Sequence, residues 1–177
     1  LSRGGKFLAR VEGAMSGNVH LRLAQYAAHM NPERARQVAI AMVAGKIRNC
    51  RSLLLRSARD SDVATERDAL TGAAQHLSAS LRTLPSRVDL DAARGVEGDA
   101  ARVYFGQFDH LIKPELRQRF TFDARTRRPP RNAVNALLSY LYAVLTHDCR
   151  SALESVGLDP QLGFLHAPRP GRPASFC

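Results

Sequence analysis

The sequence predicts a mainly α-helical fold, in which one multi-helix domain is preceded by a single β-strand. Three observations indicate this class. Apolar residues recur at alternating spacings of three and four between residues 40 and 54, and helix start and stop signals punctuate the chain from residue 18 onward. Strand-forming residues gather in one short run near the N-terminus. With 177 residues, the chain has the length of one domain and can bury a core.

The predicted strand is residues 6–11, a run rich in strand formers between Gly4-Gly5 and Gly13. A single strand is not stable by itself. We therefore expect it to pair with a segment outside this sequence or to lie against the helices. Because the chain opens on Leu1 and not on Met, we expect an upstream part to be absent.

The second predicted helix has the clearest signals. It begins at residues 31–33, where an N-cap asparagine is followed by a proline in the first turn and by an acid near the positive end of the helix dipole. A first helix over residues 18–30 precedes it, and a third runs over residues 61–84, where Pro85 ends it. The apolar stripe of the second helix is Ile40, Val43, Ile47, Cys50 and Leu54.

A glycine interrupts the next helical pattern. Residues 89–94 predict a short helical turn, Gly95 breaks it, and residues 96–111 resume it, so Glu97 is expected to begin a helix. An acid there most often compensates the helix dipole at the surface. If its helical face is apolar, however, the carboxylate lies at the rim of the core and needs a cation. The residues sharing that face are Ala101, Tyr104 and Phe108.

Arginines and prolines fill the connection before the last helix. Residues 117–131 are basic, and two prolines keep their end extended. The last helix is predicted over residues 132–155, closed by Gly157, with an apolar stripe expected to face inward. That stripe is Val134, Leu137, Leu138, Leu141, Leu145 and Cys149. A polar stripe on the same helix either supports a nearby site or packs against neighbouring helices; it is Asn135, Ser139 and Tyr142.

The charge predicts a polyanionic partner. The chain has 26 Lys+Arg against 16 Asp+Glu, a net charge of +10, and nearly all of the cations are arginine. Arginine binds phosphate bidentately, so nucleic acid is favoured over an anionic membrane. Six arginines are the candidates, each as a backbone phosphate contact or as part of a solvated surface. They are Arg48, Arg56, Arg59, Arg127, Arg128 and Arg131.

The cysteines and the hydropathy pattern predict a cytoplasmic protein that does not enter a membrane. The three cysteines, Cys50, Cys149 and Cys177, lie far apart and form no C-x-x-C spacing, which implies a reducing compartment. No apolar run approaches the ~20 residues of a membrane span, and no basic-then-apolar leader is visible.

Glu97 and His166 are the candidate metal ligands. Each lies at the mouth of an apolar segment, and imidazole beside carboxylate suits Mn2+ as well as Mg2+. A lone histidine is more often a hydrogen-bonded interior residue, but His166 follows Phe164-Leu165 and precedes an arginine-proline loop. The other histidines have no metal-ligand spacing and are interpreted as surface or core residues.

Four motifs carry a resemblance to a known family. They are R-G-V-E-G-D-A-A-R-V-Y-F at 94–105, R-R-P-P-R-N-A-V-N-A-L-L-S-Y-L-Y-A-V-L at 127–145, G-L-D-P-Q-L-G-F-L-H-A at 157–167 and R-P-G-R-P at 169–173. In order and spacing, the sequence resembles the helical domain of the CRISPR-associated endonuclease and integrase of spacer acquisition, the Cas-one family. The resemblance extends from Phe7 to about Ser175.

The resemblance implies a domain organisation and a set of partners. Family members have a small N-terminal β domain for dimerisation and a helical domain that holds a divalent metal. Residues 1–13 are then the remnant of the β domain, and residues 14–177 are the helical catalytic-type domain, truncated at its C-terminus. The expected partners are double-stranded DNA, a second copy of the chain and the Cas-two protein, and the expected cofactor is Mg2+ or Mn2+.

The resemblance also assigns roles to residues. Glu97 and His166 correspond to two of the three metal ligands and are the catalytic residues. The third, an aspartate just after the R-P-G-R-P-like turn, has no counterpart, because residues 174–177 occupy that place. Many members also have an acid where this chain has Pro168. Lys46 and Asn49 match a K-x-x-N pattern of the second helix, with Lys46 as a DNA contact and Asn49 as a supporting residue. A helix-packing or surface role is the open alternative for both. Tyr104 and the polar stripe of the last helix are the other supporting residues.

Two functional hypotheses follow. The first is a metal-dependent DNA endonuclease and integrase that inserts spacers into CRISPR arrays, weakened by loss of the aspartate. The second is a catalytically silent basic helical module that binds duplex DNA through its arginines. The first requires Glu97 and His166 to converge around a cation, whereas the second leaves their separation free. An unrelated helical scaffold is a weaker third alternative.

Overall fold

The described part of the protein, residues 19–86 and 89–166 of a computed structural model, is helical and contains no β-strand. The predicted mainly helical class is confirmed, while the predicted strand at 6–11 lies outside the described residues. None of the described helices is long and apolar enough to cross a membrane. The helices are α1 (Val19–Met30), α2 (Pro32–Asp60), α3 (Ala64–Thr83), α4 (Leu90–Gly106), α5 (Pro114–Arg117) and α6 (Ala133–Ser155), with short 3-10 helices at Leu84–Ser86 and Phe108–Leu111.

The 29-residue helix α2 lies at the centre and packs against α1, α3 and α4. It begins as predicted, because the Asn31 side chain accepts a hydrogen bond from the Arg34 backbone N–H at 3.0 Å. Many of the residues buried between the helices are alanines, which let the backbones approach closely. The core residues of α2, α3 and α4 are Ala39, Val43, Ile47, Leu54, Ala58, Leu70, Ala73, Ala74, Leu77, Ala93 and Ala100.

The predicted break at Gly95 is wrong. The helix α4 runs without interruption from Leu90 to Gly106, and the Asp89 side chain caps it by accepting from the Ala92 backbone N–H at 2.7 Å. A glycine inside a helix costs about 1 kcal/mol. Burial of Ala93 and Ala100 on either side of Gly95 offsets that cost. Glu97 therefore lies within the helix and not at its first residue.

The predicted inward face of α6 is also largely wrong. Leu137, Leu141 and Leu145 are more than half exposed, while Asn135 is fully buried. Val134 is buried as predicted. The helix turns Asn135 and Ser139 of its polar stripe toward the body of the protein, because the loop before it supplies polar partners, as described below.

A segment after α6 returns to the core and is fixed to α1. Gly157 allows the turn with a φ of 87°. The Gln25 side chain then donates to the Asp159 carbonyl at 2.9 Å and accepts from its backbone N–H at 2.8 Å. Nδ1 of His29 donates to the Gly163 carbonyl at 2.9 Å. The segment ends with Leu165 in the core, 2% exposed.

A polar network ties α5 to the start of α3. The Arg117 guanidinium donates to both carboxylate oxygens of Glu66, one at 3.0 Å, and its Nε donates to the Ile112 carbonyl at 2.9 Å. Nδ1 of His110 lies 3.7 Å from the same carboxylate. The hydrogen bond from Arg117 lowers the pKa of Glu66 below its usual value of 4.5.

We predict that Glu66→Gln destabilises the protein by roughly 1 to 3 kcal/mol at neutral pH, because a charge-assisted pair is lost. A carboxyl group whose pKa is lowered in the folded state stabilises above its unfolded pKa, and this contribution is lost as pH falls through the folded pKa. The stability difference from the unsubstituted protein should therefore shrink below about pH 4.5, as followed by thermal unfolding from pH 7 to pH 3. Glu115→Gln, at an exposed position on α5, is the control. A difference that does not change with pH would contradict the prediction.

Candidate functional site

Glu97 of α4 is paired with Lys46 of α2. The Lys46 ammonium donates a hydrogen bond to Oε1 of Glu97, and the two side chains are 30% and 17% exposed, respectively. The interpretation of Glu97 as a dipole-compensating acid in a first turn is wrong, since the residue lies inside α4. A carboxylate at the rim of the core was expected to need a cation, and Lys46 supplies it.

An apolar wall surrounds this pair on one side. Burial raises the pKa of Tyr104 to about 12, and burial also raises the pKa of the Cys50 thiol. Both side chains line a small cavity of about 30 Å³ together with Lys46 and Glu97. The Cys50 thiol is therefore held protonated and is not an activated nucleophile.

A larger basic cavity adjoins the ion pair. It has a volume of about 410 Å³ and lies between α2, α4, α6 and the loop at residues 125–128. Arginine and lysine side chains, with one tyrosine, one histidine and two hydroxyl groups, provide its polar lining. These residues are Lys46, Arg125, Arg127, Arg128, Ser139, Tyr142, Thr146 and His147. A cavity of this charge suits an anionic ligand.

Arg125 is held in a fixed position inside this cavity. Its guanidinium donates to Oδ1 of Asn135 at 3.0 Å and to Oγ of Ser139 at 3.2 Å, and it lies 5.6 Å from the centre of the Tyr142 ring. Its Nε is buried and has no hydrogen-bond partner. Burial lowers the pKa of Arg125 from its usual value, a direction that indicates a partly desolvated cation. Such a group gains from an incoming anion.

Asn135 organises the loop that carries Arg125. Its side chain accepts from the Thr126 backbone N–H at 2.9 Å and donates to the Ala124 carbonyl at 2.9 Å. Asn132 caps α6 by accepting from the Asn135 backbone N–H at 2.8 Å. Of the two alternatives for the polar stripe of α6, these contacts favour support of a site, in that Asn135 and Ser139 hold the loop and Arg125.

The remaining predicted DNA-binding residues form two groups. Arg127 and Arg128 line the basic cavity with Lys46, and the Arg131 backbone N–H donates to the Thr126 hydroxyl at 3.0 Å. The α2 residues Arg48, Arg56 and Arg59 instead lie on the exposed surface, as does the predicted supporting residue Asn49. Arg56 is 3.9 Å from Asp60, a solvated pair with little energetic weight. The structure thus gathers the loop arginines around a cavity and leaves those of α2 on an open face.

His166 is exposed and directly follows the buried Leu165 at the end of the segment fixed to α1. The described residues contain no group of three His, Cys, Asp or Glu side chains that could hold a metal ion. The carboxylate oxygens of Glu97 and the imidazole nitrogens of His166 are donor atoms that suit a divalent ion. The Glu97 carboxylate already accommodates one cation, the Lys46 ammonium.

Two features of the site were not predicted from sequence. Arg125 was treated only as part of a basic connection, although it is the best-anchored cation of the cavity. The Lys46–Glu97 ion pair joins residues that are 51 positions apart. The sequence signal for the first was weak, because Asn135, which accepts from Arg125, could be read only as part of a polar stripe on α6. No local pattern indicates the second.

Comparisons with known proteins agree with the motifs. The sequence matches the family described as CRISPR associated protein Cas1 over residues 1–176. The CRISPR-associated endonuclease Cas1 1 of Moorella thermoacetica is 49% identical over 170 residues, which cover 96% of this chain and 49% of that protein. The chain spans about half the length of the curated relatives it matches.

Two solved structures have a similar fold. One, a partial Cas6-RT-Cas1–Cas2 complex, matches with a TM-score of 0.79 and 28% identity over 98% of this chain and 50% of that chain. The other, a casposase bound to integration product, matches with a TM-score of 0.68 and 25% identity over 97% of this chain and 48% of that chain.

The fold and the site define a helical domain with a paired carboxylate at the edge of an arginine-lined cavity. With the family match along nearly its whole length, the chain belongs to the Cas1 family of CRISPR-associated proteins. The family predicted from the motifs is thereby confirmed.

We predict that Asn135→Ala releases the Arg125 loop and destabilises the protein by roughly 1 to 3 kcal/mol, because buried backbone groups lose their partners. The local effect can be measured by amide hydrogen exchange at Thr126, whose N–H is bonded to Asn135. Exchange there should accelerate in Asn135→Ala. Asn132→Ala removes only the helix cap, at a cost of about 1 kcal/mol, and serves as the comparison. Equal Thr126 exchange in the two variants would refute this role of Asn135.

Proposed function

We propose that this chain provides the catalytic-type helical domain of a metal-dependent DNA endonuclease and integrase, which acts in the cytoplasm to insert spacers into CRISPR arrays. The observation that carries the proposal is the placement of Glu97 at the edge of the basic cavity. Lys46 both pairs with Glu97 and lines that cavity. Family membership supports it. So does the likeness to a casposase bound to integration product, since integration there involves the same fold.

The residues of the cavity have separable roles in this proposal. Arg127 and Arg128 contact the DNA backbone, which positions the strand without reading its sequence. Arg125 is fixed before the ligand arrives, so that little side-chain ordering opposes binding.

Glu97 and His166 would hold the divalent ion, Mg2+ or Mn2+. When bound, such an ion polarises a scissile phosphate and helps to orient a hydroxyl nucleophile for in-line displacement. Water molecules would complete the coordination shell of such an ion.

The proposed partners follow from the family. They are double-stranded DNA, a second copy of the chain and the Cas2 protein, and one similar structure is a complex that contains Cas1 and Cas2. The net charge of +10 supports DNA as a ligand. Within this proposal, residues 1–13 belong to an N-terminal dimerisation domain and residues 14–177 to the helical domain.

One observation favours the second candidate, a silent DNA-binding module. The Lys46–Glu97 pair satisfies the carboxylate without a metal ion. In that case DNA would bind the same basic cavity, while Glu97 would serve only to join α2 to α4. The two candidates differ in whether Glu97 is needed for a metal-dependent activity.

We predict that Glu97→Ala and His166→Ala each reduce Mn2+-dependent DNA cleavage to background, while salt-sensitive DNA binding stays nearly intact. The reason is that both residues serve the metal and neither is a cation of the cavity. Cleavage of labelled duplex and filter binding of the same duplex measure the two properties. Glu115→Ala, an exposed acid on α5, is the matched control. Equal loss of cleavage and binding would count against the metal role.

The combined substitution of Arg127, Arg128 and Arg131 by alanine should have the reverse effect. DNA affinity should fall, and the slope of log K against log salt concentration should flatten by about 2 to 3, as expected for three lost phosphate contacts. The control replaces three exposed arginines that do not line the basic cavity, Arg67, Arg82 and Arg119. An equal flattening in the control would mean that the cavity is not where DNA binds.

A further inference from the structure

We infer that Lys46 is an internal counter-cation that competes with a divalent ion for the Glu97 carboxylate, so that Lys46 must leave Glu97 before a metal ion can bind. This inference rests on the proposed metal role of Glu97. It assigns to Lys46 a function other than DNA contact or helix packing, as a positioning residue that controls access to the metal site.

The backbone at both partners is fixed, so only the side chains can rearrange. Lys46 is next to Ile47, which is 2% exposed, and one turn from Val43, which is fully buried. Glu97 lies between Ala93 and Ala100 on α4, both buried against α2 and α3. The lysine side chain has a flexible four-carbon stem and is 30% exposed. The contact between α2 and α4 can therefore persist while the ammonium moves.

Little free space remains beside Glu97 while the ammonium group is bonded to it. The cavity that the two side chains line measures about 30 Å³, enough for one or two water molecules. A divalent ion such as Mg2+ loses its hydration shell reluctantly and usually keeps several waters. An ion with its waters does not fit into this space while the ammonium group stays on Glu97. Repulsion between the two cations adds to this steric exclusion.

A place for the displaced ammonium exists next to Glu97. Lys46 lines the basic cavity of about 410 Å³ as well as the small cavity, so rotation of its stem moves the charge from one to the other. The basic cavity also contains Arg125, Arg127 and Arg128, and without an anion these cations oppose the arrival of a fourth. When the basic cavity holds no anion, the Lys46 ammonium therefore stays paired with the Glu97 carboxylate. A phosphate in the cavity favours its release.

The exchange can be tested by Mn2+ titration of the whole 177-residue protein at fixed ionic strength, with free Mn2+ followed by electron paramagnetic resonance. Lys46→Met and Lys46→Gln remove the competing charge and should bind Mn2+ roughly tenfold more tightly than the unsubstituted protein, a change of about 1.4 kcal/mol. Lys46→Arg keeps a cation and should bind as the unsubstituted protein does. Lys113→Met, an exposed lysine that lines neither cavity, should have no effect.

Thermal unfolding provides a second readout. Without metal, Lys46→Gln should unfold at a lower temperature, because Glu97 is left without its cation, and Mn2+ should raise its midpoint more than that of the unsubstituted protein. If Lys46→Met does not fold, the comparison of Lys46→Gln with Lys46→Arg decides the question.

The outcomes separate the inference from the proposed function. If Glu97→Gln abolishes Mn2+ binding but Lys46→Met and Lys46→Gln bind Mn2+ no more tightly than before, Lys46 is not a competitor, and the metal role of Glu97 stands. If Glu97→Gln leaves Mn2+ binding unchanged in every background, the metal site itself is wrong and the inference fails with it. Tighter binding in the two uncharged variants, lost again on adding Glu97→Gln, supports both.

Discussion

The close packing of α2 against α3 and α4 is the constraint on which the rest of the structure depends. Alanines at the contact, among them Ala39, Ala74, Ala93 and Ala100, allow the helix backbones to approach. At this separation, a lysine on α2 reaches a carboxylate on α4 directly. A larger residue at one of these positions would push the helices apart, and interiors are packed too tightly to absorb it without cost. The geometry of the ion pair is thus set by residues that carry no charge.

The site combines two environments that are seldom found side by side. On one side of Glu97 the wall is apolar enough to raise the pKa of Tyr104 to about 12. On the other side, arginines line an open cavity. A charge on the boundary interacts strongly with whatever cation is nearest, because the wall reduces screening by water. Lys46 and Glu97 occupy that boundary, which is why the proposed function gives the choice of cation at Glu97 a role in both metal and DNA binding.

The sequence was sufficient where local rules decide the outcome. The spacing of Val43, Ile47 and Leu54 and the cap at Asn31 predicted α2 correctly. Prediction from the sequence failed where tertiary contacts override a local preference. Gly95 was expected to end a helix, but packing of α4 offsets its cost. On α6 two stripes competed to face inward, and the choice depends on Arg125, which needs Asn135 and Ser139 as acceptors. The motifs identified Glu97 and His166 as candidates. The pairing of Lys46 with Glu97 could be seen only in the folded structure, because the two residues are far apart in the sequence.

The turn at Gly157 has a consequence for how variants of this protein are interpreted. Its backbone angle of 87° is one that residues with a β-carbon rarely adopt, so substitutions there strain the turn. That turn begins the segment that Gln25 and His29 hold against α1 and that carries Leu165 into the core. Under the proposed function, a genetic screen for lost activity would therefore recover changes at Gly157 or Gln25 beside those at His166. Such changes would imitate the loss of a ligand while altering no group that touches a metal ion, and only a measurement of local order in the segment would tell the two kinds of variant apart.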